Sequence, residues 1–488
     1  MPTDRALRSF AVRVTFVRVA PWLEVRRAHP ENVMAPLDVG QALSLLAARG
    51  HAAELIDTET GRYTLGEAAR ATVASRPDVV VLDGPTPAVP HMLQLADLAR
   101  ERLPDALILA VGQHATARPQ DLVGPGRPFD AAALREWEET VTDVCDAVCA
   151  GEGEWRAVPG LLLATDVGLR ETRERPLQTD LDALPWPDHA RFLADDAYVV
   201  HHPTRVRGRR RWGFVLGGRG CPHACLHCSP SLRNSYGDVP RLRDVGAVVD
   251  ELRELQRLGA TVVHFKDDTF AQDPEWASAL CDRLDKRRLR LPWTVQTRPD
   301  RVMDPSLCRA MAQAGCTTVV LGIDSGSAWT LKMLRKGYGL AEVRRGAAAV
   351  REAGMLLVGL FLIGCPGESL AEMEETLSLA RSLELDLLQV QVFVPYPGSP
   401  FYDRWFHSVD ARGPDEFSHY NPTHWRRLIN LSAVSDEDLL AFQRRFYRET
   451  ILTPRFAARF LGNRLAGLPD NLGADLRLMA QSARFLFR

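Results

Sequence analysis

Residues 217–228 read Gly-Gly-Arg-Gly-Cys-Pro-His-Ala-Cys-Leu-His-Cys, which places three cysteines at C-x3-C-x2-C spacing. The segment follows the apolar, strand-like run Trp212 to Leu216, and its Gly and Pro residues are typical of a loop. Cysteine thiolates bind iron–sulfur clusters, and three of them on a four-iron cluster leave one iron open. A structural zinc site needs four ligands and stays an alternative, with His223 or His227 as the fourth. The spacing predicts a [4Fe-4S] cluster with the ligands Cys221, Cys225 and Cys228.

The composition is that of an ordinary globular protein. The chain has 488 residues, which is too long for one hydrophobic core, so we expect two or three domains. A net charge of −2 gives no general attraction to nucleic acid or to an anionic membrane. No apolar run reaches membrane-spanning length, and the N-terminus lacks the pattern of a signal segment. We therefore expect a cytoplasmic protein without a membrane span.

The nine cysteines are an odd number in a chain without a secretory signal, which argues against a disulfide framework. Outside the cluster loop they lie in apolar or helix-like settings, where a small packing role is expected. These are Cys145, Cys149, Cys281, Cys308, Cys316 and Cys365.

The first 157 residues alternate short apolar runs with helical patterns, which predicts a parallel, doubly wound α/β sheet. Ligands of such sheets bind outside the carboxyl ends of the strands. The loops expected there begin at Asp83, Gly112 and Gly151, and no G-x-G-x-x-G motif indicates a dinucleotide site. The predicted strands are Val12–Phe16, Ala53–Ile56, Val79–Leu82, Leu107–Val111 and Ala147–Ala150.

Residues 158–204 are predicted to be a linker, and residues 205–402 hold six strand-then-helix units. In barrels of parallel strands the chemistry lies at the carboxyl ends of the strands, and polar residues follow these strands. The basic run 205–211 is expected to be a solvated surface, with a site for a substrate anion as the alternative. The predicted strands are Trp212–Leu216, Val262–Lys266, Trp293–Gln296, Val319–Ile323, Leu357–Ile363 and Leu388–Val394.

Residues 403–488 are predicted to be a helical C-terminal region, with helical spacing over Asp436–Thr450 and Ala474–Phe487. Tyr420, His424 and Trp425 are candidates for substrate contact, although core packing explains aromatic residues as well.

The cluster loop resembles that of the radical S-adenosylmethionine (SAM) enzymes, and the six units resemble their partial (β/α)6 barrel. His227 departs from that family, which usually has an aromatic residue before the last cysteine. In the first domain, the V-G-x-H-A-T and G-E-G-E stretches resemble the cobalamin-binding domain that precedes many of these enzymes. The D-x-H-x-x-G motif is absent, so the resemblance implies a lower face of cobalt without a protein histidine.

The resemblance also implies cofactor-binding residues. Carboxylates suit the SAM amine, although Asp268 also fits a helix N-cap and Arg298 a structural ion pair. Asp324 stands where the family usually has Glu, which keeps the charge and shortens the reach. For SAM the implied residues are Asp267, Asp268, Arg298, Asp324, Ser325, Lys336 and Gly364. For cobalamin they are Asp83, Thr86, Gly112, His114, Gly151 and Glu152.

The function that the resemblance implies is methylation of an unactivated carbon of a small molecule. Reductive cleavage of SAM would give a 5′-deoxyadenosyl radical, and methylcobalamin would supply the methyl group, with a flavodoxin or ferredoxin as reductant. The same motifs also serve radical ring contraction or oxidative cyclisation. A cobalamin- or SAM-responsive binding protein is the alternative outside enzymology. No basic surface indicates nucleic acid as a partner.

Overall fold

The computed structural model describes residues 11–21, 23, 33–151, 153–200, 202–206, 208–228, 233–406 and 429–465. Two sheets with flanking helices account for most of them, which confirms the predicted α/β class. Within these residues no helix is both long and apolar enough to cross a lipid bilayer.

The first sheet has the strand order β2-β1-β3-β4-β5-β6-β7, with β1 to β5 parallel. Val79 and Val81 of β3 point into one buried cluster and Val80 and Leu82 into another, so helices cover both faces. The strands are β1 (Arg13–Arg18), β2 (Ala52–Asp57), β3 (Val79–Asp83), β4 (Leu107–Val111), β5 (Ala131–Ala133), β6 (Leu161–Thr165) and β7 (Gly168–Glu171). The helices are α1 (Leu37–Ala48), α2 (Leu65–Ser75), α3 (Val89–Arg102), α4 (Gly112–Ala117) and α5 (Glu138–Ala150).

The predicted fifth strand, Ala147–Ala150, is wrong, because these residues form the last turn of α5. Val141, Val144 and Cys145 are buried at helical spacing, and acidic residues in the first turn suit the helix N-terminus. The observed fifth strand, β5, consists of three alanines and carries no β-branched residue.

The predicted linker begins too early. β6 pairs antiparallel with β5, and β7 pairs antiparallel with β6, so the first sheet extends to Glu171. The rest of the linker contains α6 (His189–Leu193). Its Phe192 and Tyr198 belong to a buried cluster that also includes Leu37 of the first domain and Trp212 of the second sheet. The two sheets therefore share a common core through the linker.

The second sheet confirms the six predicted strands, in the order β15-β14-β13-β12-β11-β8. All neighbouring pairs are parallel, and β8 and β15 form its two edges, so the barrel is partial. Its strands are β8 (Trp212–Val215), β11 (Val262–Phe265), β12 (Trp293–Thr297), β13 (Cys316–Asp324), β14 (Leu356–Ile363) and β15 (Leu387–Val392). A separate antiparallel pair is formed by β9 (Gly218–Arg219) and β10 (Arg241–Leu242).

The helices of the second half are α7 (Arg233–Tyr236), α8 (Val245–Arg257), α9 (Pro274–Lys286), α10 (Pro305–Gln313), α11 (Ala328–Met333), α12 (Leu340–Glu352), α13 (Leu370–Ser382), α14 (Asp436–Ile451) and α15 (Pro454–Leu465).

The predicted helix Asp436–Thr450 corresponds to α14, which covers the edge strand β15. Gln443 Nε2 donates to the Val390 carbonyl at 2.8 Å, and Tyr447 Oη accepts from the Val390 amide at 2.8 Å. These bonds satisfy backbone groups that an edge strand would otherwise expose. The predicted helix Ala474–Phe487 and the aromatic candidates Tyr420, His424 and Trp425 lie outside the described residues.

Candidate functional site

The carboxyl ends of the two sheets face each other across a cavity of about 260 Å³. Asp83 and Gly112, at the ends of β3 and β4, line it from the first domain. Leu216 and Lys266, after β8 and β11, line it from the barrel. The cavity therefore occupies the ligand-binding edge of both sheets at once.

The three-cysteine loop leaves the end of β8 beside this cavity. Cys221 and Cys225 are buried, Cys228 is half-buried, and none forms a disulfide. Gly220 has a φ of +95°, and a Cβ there would lie 2.6 Å from the Val239 carbonyl oxygen, so the turn requires glycine. The Leu226 amide donates to the Leu334 carbonyl at 3.0 Å, which anchors the loop to the barrel.

Burial opposes ionisation of the thiols in the cluster loop. Burial raises the pKa of Cys221, and burial with the neighbouring thiols raises the pKa of Cys228, so a cationic centre is needed to hold them as thiolates. In the part of the chain that the structure describes, no three His, Cys, Asp or Glu side chains converge as the ligands of one ion would. A four-iron cluster binds each thiolate at a different iron and needs no such convergence.

Asp267 and Asp268 follow β11 and have different environments. Asp267 Oδ2 accepts a hydrogen bond from the Gly217 amide at 2.9 Å and so fixes the start of the loop. Asp268 lines the cavity, and its Oδ2 is buried without a hydrogen-bond partner among the described residues. Burial raises the pKa of each carboxyl to about 7. The N-cap of α9 is Asp273, so the N-cap alternative for Asp268 is wrong.

Asp324 ends β13 with a φ of +63° at a register shift against β14, a bulge that redirects its side chain. Its carboxylate lies 2.5 Å from Lys336 Nζ and 3.4 Å from His227 Nε2. Although burial opposes ionisation, these two groups hold the pKa of Asp324 well below its usual range. The two departures from the family pattern, His227 and Asp324, therefore lie side by side.

The other predicted SAM residues are largely occupied by contacts within the fold. Arg298 forms an ion pair with Asp300 at 2.9 Å, and its Nη1 lies 3.7 Å from Cys225 Sγ. Ser325 is fully buried against Thr376, with 3.0 Å between the hydroxyl oxygens. Gly364 has a φ of +71° and packs against Leu439 of α14, where a Cβ would lie 2.8 Å away.

The loops after β3 and β4 bring four of the predicted cobalamin residues together. A Cβ on Gly112 would lie 2.0 Å from Asp83 Oδ1, so this close approach requires glycine. His114 is fully buried, with Nδ1 3.2 Å from Thr86 Oγ1 and Nε2 3.3 Å from Asp121. Both ring nitrogens are thus engaged, as expected for a satisfied loop histidine and not for a cobalt ligand.

Gly151 is not brought to this site. It follows α5, whose Asp146 lies 2.8 Å from His51 Nε2, while His51 Nδ1 accepts from the Val12 amide. This is the amino-terminal edge of the sheet, opposite the cavity, because α5 runs back antiparallel to the strands. Placing Gly151 at a strand's carboxyl end depended on the incorrect fifth strand. Glu152 lies outside the described residues.

The basic run lies ahead of β8, at the opposite end of the barrel from the cavity. Arg205 Nη1 donates to the Gly354 carbonyl and Arg211 Nη2 to the Leu193 carbonyl, at 2.9 and 2.8 Å. These contacts are structural and do not support a substrate-anion site.

Several residues that line the cavity could not be predicted from the sequence. They lie at the boundary between the two domains, and no local sequence pattern indicates such a position. Two of them had a nearby sequence signal: Arg219 lies within the three-cysteine loop, and Lys266 directly precedes Asp267 and Asp268. The residues are Arg18, Asp38, Glu59, Arg219, Tyr236 and Lys266.

Comparison with known proteins agrees with this geometry. Residues 215–380 match the radical SAM superfamily, and residues 24–145 match the B12 binding domain. An uncharacterized methyltransferase of Pyrococcus horikoshii, PH0819, is 27% identical over 362 residues, covering 74% of this chain and 76% of that protein. The anaerobic magnesium-protoporphyrin IX monomethyl ester cyclase of Rubrivivax gelatinosus is 23% identical over 404 residues, covering 81% and 71%.

Among solved structures, the radical SAM methyltransferase TsrM of Kitasatospora setae, with cobalamin and a [4Fe-4S] cluster bound, has a TM-score of 0.63. The alignment covers 80% of this chain and 74% of TsrM at 19% identity, and so supports the fold. The chain therefore combines a radical SAM domain with a B12 binding domain, as cobalamin-dependent radical SAM enzymes do, and these domains imply a [4Fe-4S] cluster, SAM and cobalamin as cofactors.

Proposed function

We propose that this enzyme methylates an unactivated carbon of a small molecule. The observation that carries the proposal is the cavity of about 260 Å³ between the B12-type edge of the first sheet and Asp268 beside the cluster loop. A substrate held there would lie between the two cofactors. The relative from Pyrococcus horikoshii is named a methyltransferase, which supports this reaction type.

In this proposal the chain's own residues bind and orient the cofactors. Cys221, Cys225 and Cys228 hold the cluster, and the unpartnered Oδ2 of Asp268 accepts a hydrogen bond from the SAM amine. When bound, the cofactors supply a hydrogen-abstracting radical and a transferable methyl group. Buried charges at Asp324 and Lys336 hold the end of β13 beside the cluster loop, ready to contact SAM.

On the cobalamin side, Asp83 and Gly112 supply a backbone-lined edge, and Thr86 and His114 brace the loops behind it. A closed, water-poor cavity between the domains would protect a reactive radical from quenching. A flavodoxin or ferredoxin is proposed as the electron donor.

The test is anaerobic reconstitution with iron, sulfide and hydroxocobalamin, followed by reduction with SAM that carries a deuterated methyl group. Mass spectrometry should find labelled methylcobalamin together with 5′-deoxyadenosine. Cys228→Ala should abolish deoxyadenosine, while Cys281→Ala, at a buried cysteine of α9, should retain it. Deoxyadenosine without any labelled methylcobalamin would contradict the proposed methyl transfer.

Radical ring contraction or oxidative cyclisation is the second candidate, because a related protein is a porphyrin-ester cyclase. A cyclase would form deoxyadenosine in proportion to substrate and leave the product without deuterium. Isotope content in the product therefore separates the two reactions.

A further inference from the structure

Arg219 lies two residues before the first cluster cysteine, yet its side chain reaches into the other domain. It is 4% exposed, and its guanidinium lies 3.2 Å from a carboxylate oxygen of Glu136 and 2.5 Å from one of Glu138. Its Nη2 also donates to Gln41 Oε1 on α1. Glu138 is the first residue of α5 in the first domain, and Glu136 lies directly before the N-cap of that helix.

A second arginine reaches the same carboxylate. Arg241 pairs with Arg219 across the antiparallel β9–β10 ladder. It donates to both oxygens of Glu136, at 2.8 and 3.0 Å. Two arginines from the cluster side thus hold two glutamates from the B12 side, and we name these four residues the interdomain clamp.

The clamp is closely balanced in charge and almost fully buried, with Glu136 and Glu138 exposed by 7% and 3%. Removing one member of a buried ion-pair set leaves an uncompensated charge, so the set tolerates little displacement. Because a guanidinium group is planar and donates several hydrogen bonds, it fixes both the distance to a carboxylate and the orientation of that carboxylate. A domain rotation that opened the cavity would separate these pairs.

We propose that Arg219 is a positioning residue that sets the distance and orientation between the cluster loop and the cobalamin edge. Arg219 lines the cavity beside Tyr236, with its guanidinium 5.2 Å from the ring centroid. The clamp therefore joins the cavity wall to the loop that carries Cys221. This inference depends on the two cofactors and not on which reaction follows.

The test compares Arg219→Met with Arg219→Lys, Gln41→Ala and a matched control, Arg243→Met. Arg243 is also buried and paired with a buried glutamate, Glu251, but its acidic partners do not lie on α1 or α5. Hydrogen exchange of the cofactor-free chain should rise in the first turn of α5 and in residues 217–221 for Arg219→Met and should not rise there for Arg243→Met. Arg219→Lys should restore part of the protection, because one cation remains.

Electron paramagnetic resonance of the chain loaded with cob(II)alamin and the reduced cluster gives a second readout. In Arg219→Met the dipolar coupling between the two centres should change, whereas in Arg243→Met it should match the wild type. Unchanged coupling and exchange in Arg219→Met would overturn the proposal. If that variant does not fold, Gln41→Ala, which removes one neutral partner, should show a smaller change of the same kind, and its absence would count against the clamp.

Discussion

Two adjacent carboxylates, Asp267 and Asp268, show how single positions in this site divide between fold and function. Asp267 accepts a hydrogen bond from the Gly217 amide at the start of the cluster loop, whereas Asp268 has a buried oxygen without a hydrogen-bond partner among the described residues. Two consecutive residues of identical type thus have different surroundings, and Asp268 is the one with an unused hydrogen-bond acceptor.

We expect Asp268→Asn to weaken SAM binding about 10- to 100-fold, because a hydrogen bond to a charged group contributes about 1.5–3 kcal/mol. Equilibrium dialysis of reconstituted protein with radiolabelled SAM measures this change directly. Asp267→Asn is the matched control: its amide oxygen can still accept from the Gly217 amide, so SAM affinity should stay near that of the wild type. Equal losses in both variants would contradict the division.

We expect the free energy of unfolding to depend on pH through Asp83. Burial and the nearby Asp38 raise its pKa from 3.8 to about 8. Between these values the unfolded chain has lost a proton that the folded chain keeps, so this contribution to stability falls as pH rises and is flat above about pH 8.

Because asparagine cannot ionise, Asp83→Asn should gain in melting temperature relative to the wild type as the pH rises from 5 to 8. Thermal unfolding of the cofactor-free chain across this range measures the gap. Asp105→Asn, at an exposed position, serves as the control, and its melting temperature should change with pH in the same way as that of the wild type. A gap that stays constant for Asp83→Asn would show that its carboxyl ionises normally.

At the scale of elements, the turn from β13 to α11 passes very close to α13. A Cβ on Gly326 would lie 2.5 Å from the Glu375 carbonyl oxygen and 2.6 Å from Thr376 Cα, both backbone atoms. Gly326→Ala should therefore force the turn away, costing about 1–3 kcal/mol as overpacking does, and should also displace Asp324.

Chemical denaturation measures the stability that Gly326→Ala loses, and SAM affinity reports the displacement of Asp324. Gly66→Ala is the control, because a Cβ there meets only the flexible end of Arg70 at 3.4 Å within helix α2. Alanine should be neutral or stabilise that helix. Equal effects at both glycines would refute the steric argument.

Element prediction from sequence succeeded where a local pattern determined the structure. Four strands of the first sheet and all six of the barrel are apolar or β-branched runs, and the structure has strands there. It failed for β5, whose three alanines lack a strand signal, and for Ala147–Ala150, whose apolar residues belong to the face of α5. Contacts between the domains could not be predicted from local sequence patterns, since Arg219 and Gln41, for example, are 178 positions apart.

At the scale of the whole molecule, the linker joins the two sheets into one unit. Phe192 of α6 is 3% exposed and packs edge-on against Tyr198, with ring centroids 5.2 Å apart. Tyr198 donates to Asp57 of the first sheet at 2.8 Å. A Cβ on Gly40 of α1 would lie 2.7 Å from the Phe192 ring, so helix and ring meet at close range.

Because this cluster includes residues of both domains, we expect the chain to unfold in a single calorimetric transition. Phe192→Ala should cost about 3–5 kcal/mol, the usual range for a buried Phe, and should split that transition into two as the sheets lose their shared core. Val167→Ala, at a side chain that is 98% exposed, should leave the transition unchanged. Two transitions already present in the wild type would mean that the sheets fold independently, and the interdomain cavity would then depend on the Arg219 contacts more than on the shared core.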